Sequence, residues 1–306
     1  MWTAGFAFKV GRRLTFERRV IPKVRQENYG KGQATIEYMD REEVLEKLRA
    51  TFSSPTYEPP VLPATALELL ALSRNPTVDF EQIAKLLQKD PLVAAKVLKI
   101  AQSAMYARGA ALTSLRDAVV RLGLETVASI FLQVSMNMRV FRAPGYDRVM
   151  VALRKHSAMV ANVARVVCRR TSVYDEYAFL CGLLHDVGIA AGAAVIGTSA
   201  PFEIAWPAII EAHAEAGRTL CAAWQLPPDV GLVVGMHHAS DTKLLHPVAC
   251  AVIIAEWLSR RMGFGIDDDG NDAVPTREMQ ALDVTEATMR EIFEEAKKIA
   301  VRISGE

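Results

Sequence analysis

Cysteine is scarce in this chain, and none of it is placed for chemistry. Cys168, Cys181, Cys221 and Cys250 lie inside apolar segments with no CxxC pair among them. That excludes a zinc ribbon or a dithiol couple and points to buried thiols in a reducing cytosol. Glycine (18) and proline (14) are too few in 306 residues for a collagen-like or low-complexity chain. Net charge is nearly absent as well: 36 Lys and Arg against 35 Asp and Glu leave +1, so no global field attracts nucleic acid or anionic lipid. Runs of alternating β-branched residues are missing beyond position 60, and no repeat of fixed period occurs, which argues against a sheet and against a solenoid. The first apolar stretch is broken by Lys9, Arg12 and Arg13 before it reaches signal-peptide length, so no export signal is expected. Residues 178–202 could pass for a membrane span, but His185 and Asp186 near the middle would be costly in a bilayer. A buried core helix is the better reading, with no membrane span and a cytoplasmic location.

What the chain does contain is material for a large core: 51% hydrophobic and 23% charged residues over about two domain lengths. Residues 1–31 form a basic arm of charge +6, from eight Lys and Arg against Glu17 and Glu27, leaving −5 for the rest. This arm is a solvated tail, a contact surface for the protein's own core or a partner, or, least favoured, a nucleic-acid contact. Trp2, Phe6, Phe8, Phe16 and Tyr29 interleave with its cations, but no known module frames them. Asp40 with Glu43 forms a capping-box pattern ahead of Val44, Leu45, Leu48 and Phe52 at helical spacing. The stretch SSPTYEPPVLP (53–63) then breaks the helix. This sets residues 1–58 apart as a basic extension with a short helix. From 59 to 306 the pattern predicts an all-α, multi-helix bundle: a first half over 62–140, a second over 146–262, and a last helix over 284–302. Asp79 with Gln82 and Asp283 with Glu286 read as capping boxes, and Asp90-Pro91 places proline at a first helical position. The acidic loop 265–275 lacks the glycine and glutamate positions of a calcium loop and reads as a solvated connector.

Histidine is the informative residue. There are six, and five of them (His156, His185, His213, His237 and His238) fall within or beside helices that must be mostly buried, as do Asp186 and the lone acid Glu256. One histidine on an apolar face is ordinarily a hydrogen-bonded core residue. Five, with two carboxylates on successive helices, are hard to satisfy by mutual hydrogen bonds. Imidazole and carboxylate on facing helices are a usual way to hold Fe, Zn or Mn inside a bundle. His185 and Asp186, about 100° apart around a helix, suit a site of two ions with the carboxylate between them. His246, before Pro247, is a surface or a capping residue.

The order His156, His185-Asp186, His213, His237-His238, Glu256 resembles the ligand ladder of HD-superfamily phosphohydrolases in their binuclear, HD-GYP-like form. Upstream, Leu62-Pro63, Asp90-Pro91, Ser103-Ala104 with Tyr106, and Leu122-Gly123-Leu124 resemble the HDOD family, the HD-related output domains of bacterial signalling proteins. The resemblance implies one or two divalent transition ions. His156, His185 and Glu256 would hold one, His213, His237 and His238 the other, and Asp186 would bridge. It departs at Glu256, usually Asp, and at Ile189, often Lys in HD-GYP enzymes. The segment ASDTKLLHP after the histidine pair carries no GYP-type loop. Cyclic di-GMP hydrolysis is therefore not implied, and no catalytic residue is assigned.

The resemblance favours a regulatory protein that binds a signalling partner or a small nucleotide ligand, with self-association possible. The rival is a metal-dependent phosphohydrolase acting on a nucleotide or other phosphoester. No receiver, GGDEF or kinase signature accompanies the domain.

Overall fold

The computed structural model describes residues 38–60, 62, 64–72, 77–102, 114–173, 177–238, 246–266 and 273–305. The basic arm, Pro63, Ser103-Ala104 with Tyr106, residues 239–245 and residues 267–272 of the acidic loop lie outside them. Among the described residues every element is helical. In chain order they are α1 (Arg41–Ser53), α2 (Ala64–Leu72), α3 (Phe80–Gln88), α4 (Pro91–Ala101), α5 (Leu115–Leu122), α6 (Leu124–Arg139), α7 (Asp147–Arg170), α8 (Ala178–Leu184), α9 (Val187–Ile196), α10 (Phe202–Ala223), α11 (Pro228–Met236), α12 (Pro247–Ser259), α13 (Thr276–Ala281) and α14 (Glu286–Ser304). A π-type turn, Arg260–Phe264, extends α12.

The chain forms two compact units, residues 60–141 and residues 142–306 together with those up to 59. The first holds α2 to α6. Asp90 caps α4 through the Val93 amide, with Pro91 at the first position. Asp79 caps α3 through the Glu81 amide, not through residue 82 as a capping box requires. The pattern over 114–140 predicts one helix, but Gly123, at φ +78, ends α5 and starts α6. Only a residue without Cβ takes that conformation cheaply.

In the second unit α7 packs against α8, α12 and α14, while α10 packs against α9, α11 and α1. Asp40 and Glu43 make the reciprocal capping box, with the Asp40 amide donating to Glu43 at 2.8 Å and the Glu43 amide to Asp40 at 3.0 Å. All four apolar residues of the α1 stripe are buried. The helix lies against α10 and α9. Arg41 and Arg49 reinforce the contact by pairing with Glu211 of α10. The last helix starts two residues later than its acidic pattern predicts. Thr285 caps it through the Thr288 amide at 3.1 Å, whereas Asp283 sits at φ +50 in the preceding turn. Ala178–Ile196 is apolar enough to cross a membrane, yet 89% of it is buried inside the protein and it is interrupted at His185-Asp186. The four cysteines are buried and free.

Candidate metal centre

The apolar run through residues 178–196 continues in the sequence but not as one helix. Residue spacing predicts His185 and Asp186 about 100° apart on a helix surface. In the structure they instead form the break between α8 and α9, and both side chains enter one cluster. Gly188 explains how α9 is held there. A Cβ on it would lie 1.9 Å from the His213 carbonyl oxygen and 2.8 Å from the Gly217 nitrogen, so α9 and α10 meet backbone to backbone. Asp186 and His213 are neighbours as a result.

Four imidazoles converge on Asp186. Its Oδ2 lies 3.3 Å from His156 Nε2 and 3.2 Å from His185 Nε2. Its Oδ1 lies 3.3 Å from His213 Nε2 and 3.4 Å from His237 Nε2. The rings also face one another in pairs, Nε2 to Nε2, at 3.1 Å for His156 and His185 and 3.2 Å for His213 and His237. Each ring is oriented from its other side. His185 Nδ1 donates to the Gly182 carbonyl at 2.9 Å, His237 Nδ1 to Val234 at 2.7 Å, and His213 Nδ1 to Ile210. All three partners lie three residues back, in the helix that carries His213 or that His185 and His237 close. His156 Nδ1 donates to the carbonyl of Phe264, at 2.8 Å, in the π-type turn. A carbonyl only accepts, so in each neutral ring the proton sits on Nδ1 and Nε2 is a bare acceptor.

Four acceptor nitrogens and a carboxylate thus face each other in a buried space, and that set requires positive charge, from a cation or from protons. The proton balance shows the demand. Burial pushes the His185 imidazolium down, but the Asp186 carboxylate outweighs it and holds this histidine up to about 9. His213 is raised against burial by its bond to the same carboxylate. Asp186 in turn is held well below the usual carboxylate range, because the surrounding histidines outweigh its burial. His237 is lowered by burial, and His238 is lowered to about 4 by burial and by His237 beside it.

Six of the seven candidate residues fall into two groups that share Asp186: His156, His185 and Asp186, and Asp186, His213, His237 and His238. Within each group the ligand atoms lie within 4.8 Å of one another. Both groups offer donors that suit Fe, Zn or Mn. His238 is the exposed member. Glu256 belongs to neither group. It is buried on α12, and its Oε1 accepts from Arg260 Nη2 at 2.7 Å. Its carboxyl stays down at about 2, burial being outweighed chiefly by the charges of His185 and Arg260. His246 caps α12, its Nδ1 accepting from the Val248 amide at 3.2 Å, and takes no part in the cluster.

A cleft reaches the cluster, lined by His156, Asp186, His213, His238 and Glu256, by Ile189, Ile210 and Ile266, and by Arg260. Arg260 is the site residue that the sequence pattern leaves unmarked, its one trace being the four-residue spacing from Glu256.

Among solved structures, the chain is similar to an HDOD domain protein of unknown function from Geobacter sulfurreducens. Identity is 22%, coverage is 86% of this chain and 98% of that one, and the TM-score is 0.67. A Shewanella amazonensis SB2B protein, whose name proposes a metal-dependent phosphohydrolase, is 18% identical over 86% of this chain and 99% of its own, with a TM-score of 0.66. A Marinobacter aquaeolei VT8 protein, whose name proposes a signal-transduction role, is 19% identical over 89% and 66%, with a TM-score of 0.65. These likenesses show a shared all-α fold. An uncharacterised Treponema pallidum (strain Nichols) protein is 25% identical over 212 residues, 63% of this chain, and the match spans only 40% of that relative's length. Residues 60–240, more than half of the chain, match the HDOD domain, and the chain belongs to the HDOD family.

Proposed function

We propose that this chain is a cytoplasmic signal-transduction protein whose HDOD domain holds a divalent transition-metal centre and passes on its ligand state to a partner. The observation that carries the metal is the inward-facing set of four Nε2 acceptors around one carboxylate, each ring fixed by an Nδ1 bond to a backbone carbonyl. His156, His185 and Asp186 would hold one ion, and His213, His237 and His238 a second, with Asp186 common to both. Held there, Fe, Zn or Mn supplies Lewis acidity toward an oxyanion, or a staple between helices. The regulatory half of the reading rests on family membership and accords with the name of the Marinobacter relative.

Elemental analysis of the purified protein tests the centre. We expect one to two equivalents of Fe, Zn or Mn, with the largest loss in His185→Ala and Asp186→Ala. Protein of native helicity that takes up no ion on reconstitution would overturn it. A second reading, a metal-dependent phosphohydrolase, is favoured by one observation: His238 is exposed and lines the cleft, so a small ligand can reach the cluster. Phosphoester turnover abolished by Asp186→Ala would establish it. Cyclic di-GMP is not the expected substrate, because a GYP-type loop is missing and Ile189 lines the cleft where a lysine could have met phosphate.

A further inference from the structure

Arg260 occupies an unusual place. It follows α12 directly at the start of the π-type turn, its side chain is 24% exposed, and it lines the same cleft as Asp186 and His213. Of the residues lining that cleft, it alone brings a permanent positive charge. Its Nη2 is held by Glu256 Oε1 at 2.7 Å, one helical turn back. A charge-assisted bond of that length fixes the guanidinium, whose planar fork of donors suits a tetrahedral oxyanion. Ile189, Ile210 and Ile266 give the same cleft an apolar lining. A ligand entering the cleft therefore meets one cation and two carboxylates, of which Glu256 is already matched to that cation.

We infer that Arg260, held in place by Glu256, is the residue of this cleft that binds the phosphoryl oxyanion of a small ligand, and that Glu256 is its positioning residue and not a member of the metal-holding set. This rests on the proposed metal centre for its setting but not for its test. The separate role of Glu256 follows from two observations: its Oε1 is engaged by Arg260, and it falls outside both groups of converging ligand atoms.

The test is calorimetric titration of the full chain with two probes, orthophosphate and AMP, alongside elemental analysis. Arg260→Met should weaken both probes at least tenfold, and Arg260→Lys, which keeps the charge but loses the fork, should recover part of the loss. Glu256→Gln still accepts the guanidinium N–H and removes a negative charge. It should keep the wild-type metal content but bind orthophosphate more weakly than the wild type, by less than Arg260→Met, because the bond that fixes the guanidinium is no longer charge-assisted. Unchanged orthophosphate affinity in Arg260→Met overturns the assignment, as does a loss confined to AMP, which would place Arg260 at the nucleoside. Wild-type protein that binds neither probe overturns it too. Metal lost in Glu256→Gln as in Asp186→Ala would return Glu256 to the ligand set. A metal-free wild type would sink the proposed centre while the phosphate comparison still decides the role of Arg260.

Discussion

Asp186 divides its work between two oxygens, one for each histidine pair, and this sets the proton balance of the site. In the ion-free protein the carboxylate holds His185 up to about 9 from an ordinary value of 6.5. The sign is that of a base gaining a partner: the stabilisation is complete below 6.5 and is lost as pH rises through 9. A metal ion at Nε2 must displace that proton. Loading at pH 7–8 should therefore release about one proton per ion at His185, and affinity should rise up to tenfold per pH unit until pH 9. Titrations with zinc in two buffers of different ionisation enthalpy measure the release, and buffer-independent heats would contradict it. The residues of this cluster were legible in the sequence because polar side chains are conspicuous in apolar helices. Arg260 was not. An arginine one turn after a glutamate is ordinarily a surface pair, and nothing local says that this one turns into a cleft.

The helices that carry the site depend on close approach. Gly188 allows α9 to lie against the backbone of α10 at His213 and Gly217, so Gly188→Ala should force α9 outward. Overpacking of a tight contact costs about 1–3 kcal/mol, and here the obstacle is backbone that cannot rotate away. The expected outcome is a lower Tm together with reduced metal content, checked by thermal unfolding and elemental analysis. Wild-type values of both would show that α9 and α10 do not need this contact. Most helix starts follow from periodicity and caps, as at Asp40 and Asp90. The break at His185-Asp186 does not, since the run from Ala178 to Ile196 is uniformly apolar and offers neither proline nor a polar interruption beyond the dyad itself. Thr285, not Asp283, caps α14, because Asp283 is spent on the turn at φ +50. That choice depends on the direction from which the chain enters the helix, which a capping pattern does not encode.

For the whole molecule, the first helix decides where the protein can be cut. The stripe Val44, Leu45, Leu48 and Phe52 announces an amphipathic helix, but not which surface it covers. The structure lays it on α9 and on α10, the helix that carries His213. Removing residues 1–31 should leave helicity and Tm unchanged while altering association with a partner or with itself. That change should fade as added salt shortens the Debye length from about 10 Å at 0.1 M. Removing residues 1–55 should instead lower Tm sharply, and Leu48→Ala alone should cost about 2–5 kcal/mol, as for other buried leucines. Thermal unfolding and light scattering of the three variants separate these cases, and a 1–55 deletion as stable as the wild type would show α1 to be dispensable. The histidine orientations carry one more consequence. Three of the four rings around Asp186 are steered by their own helix, whereas His156 is steered by Phe264, 108 residues away in the turn that begins with Arg260. A displacement of that turn would swing one ring and leave the other three aimed. The two halves of the cluster are thus unequal listeners: only the half containing His156 is aimed by the turn that carries Arg260.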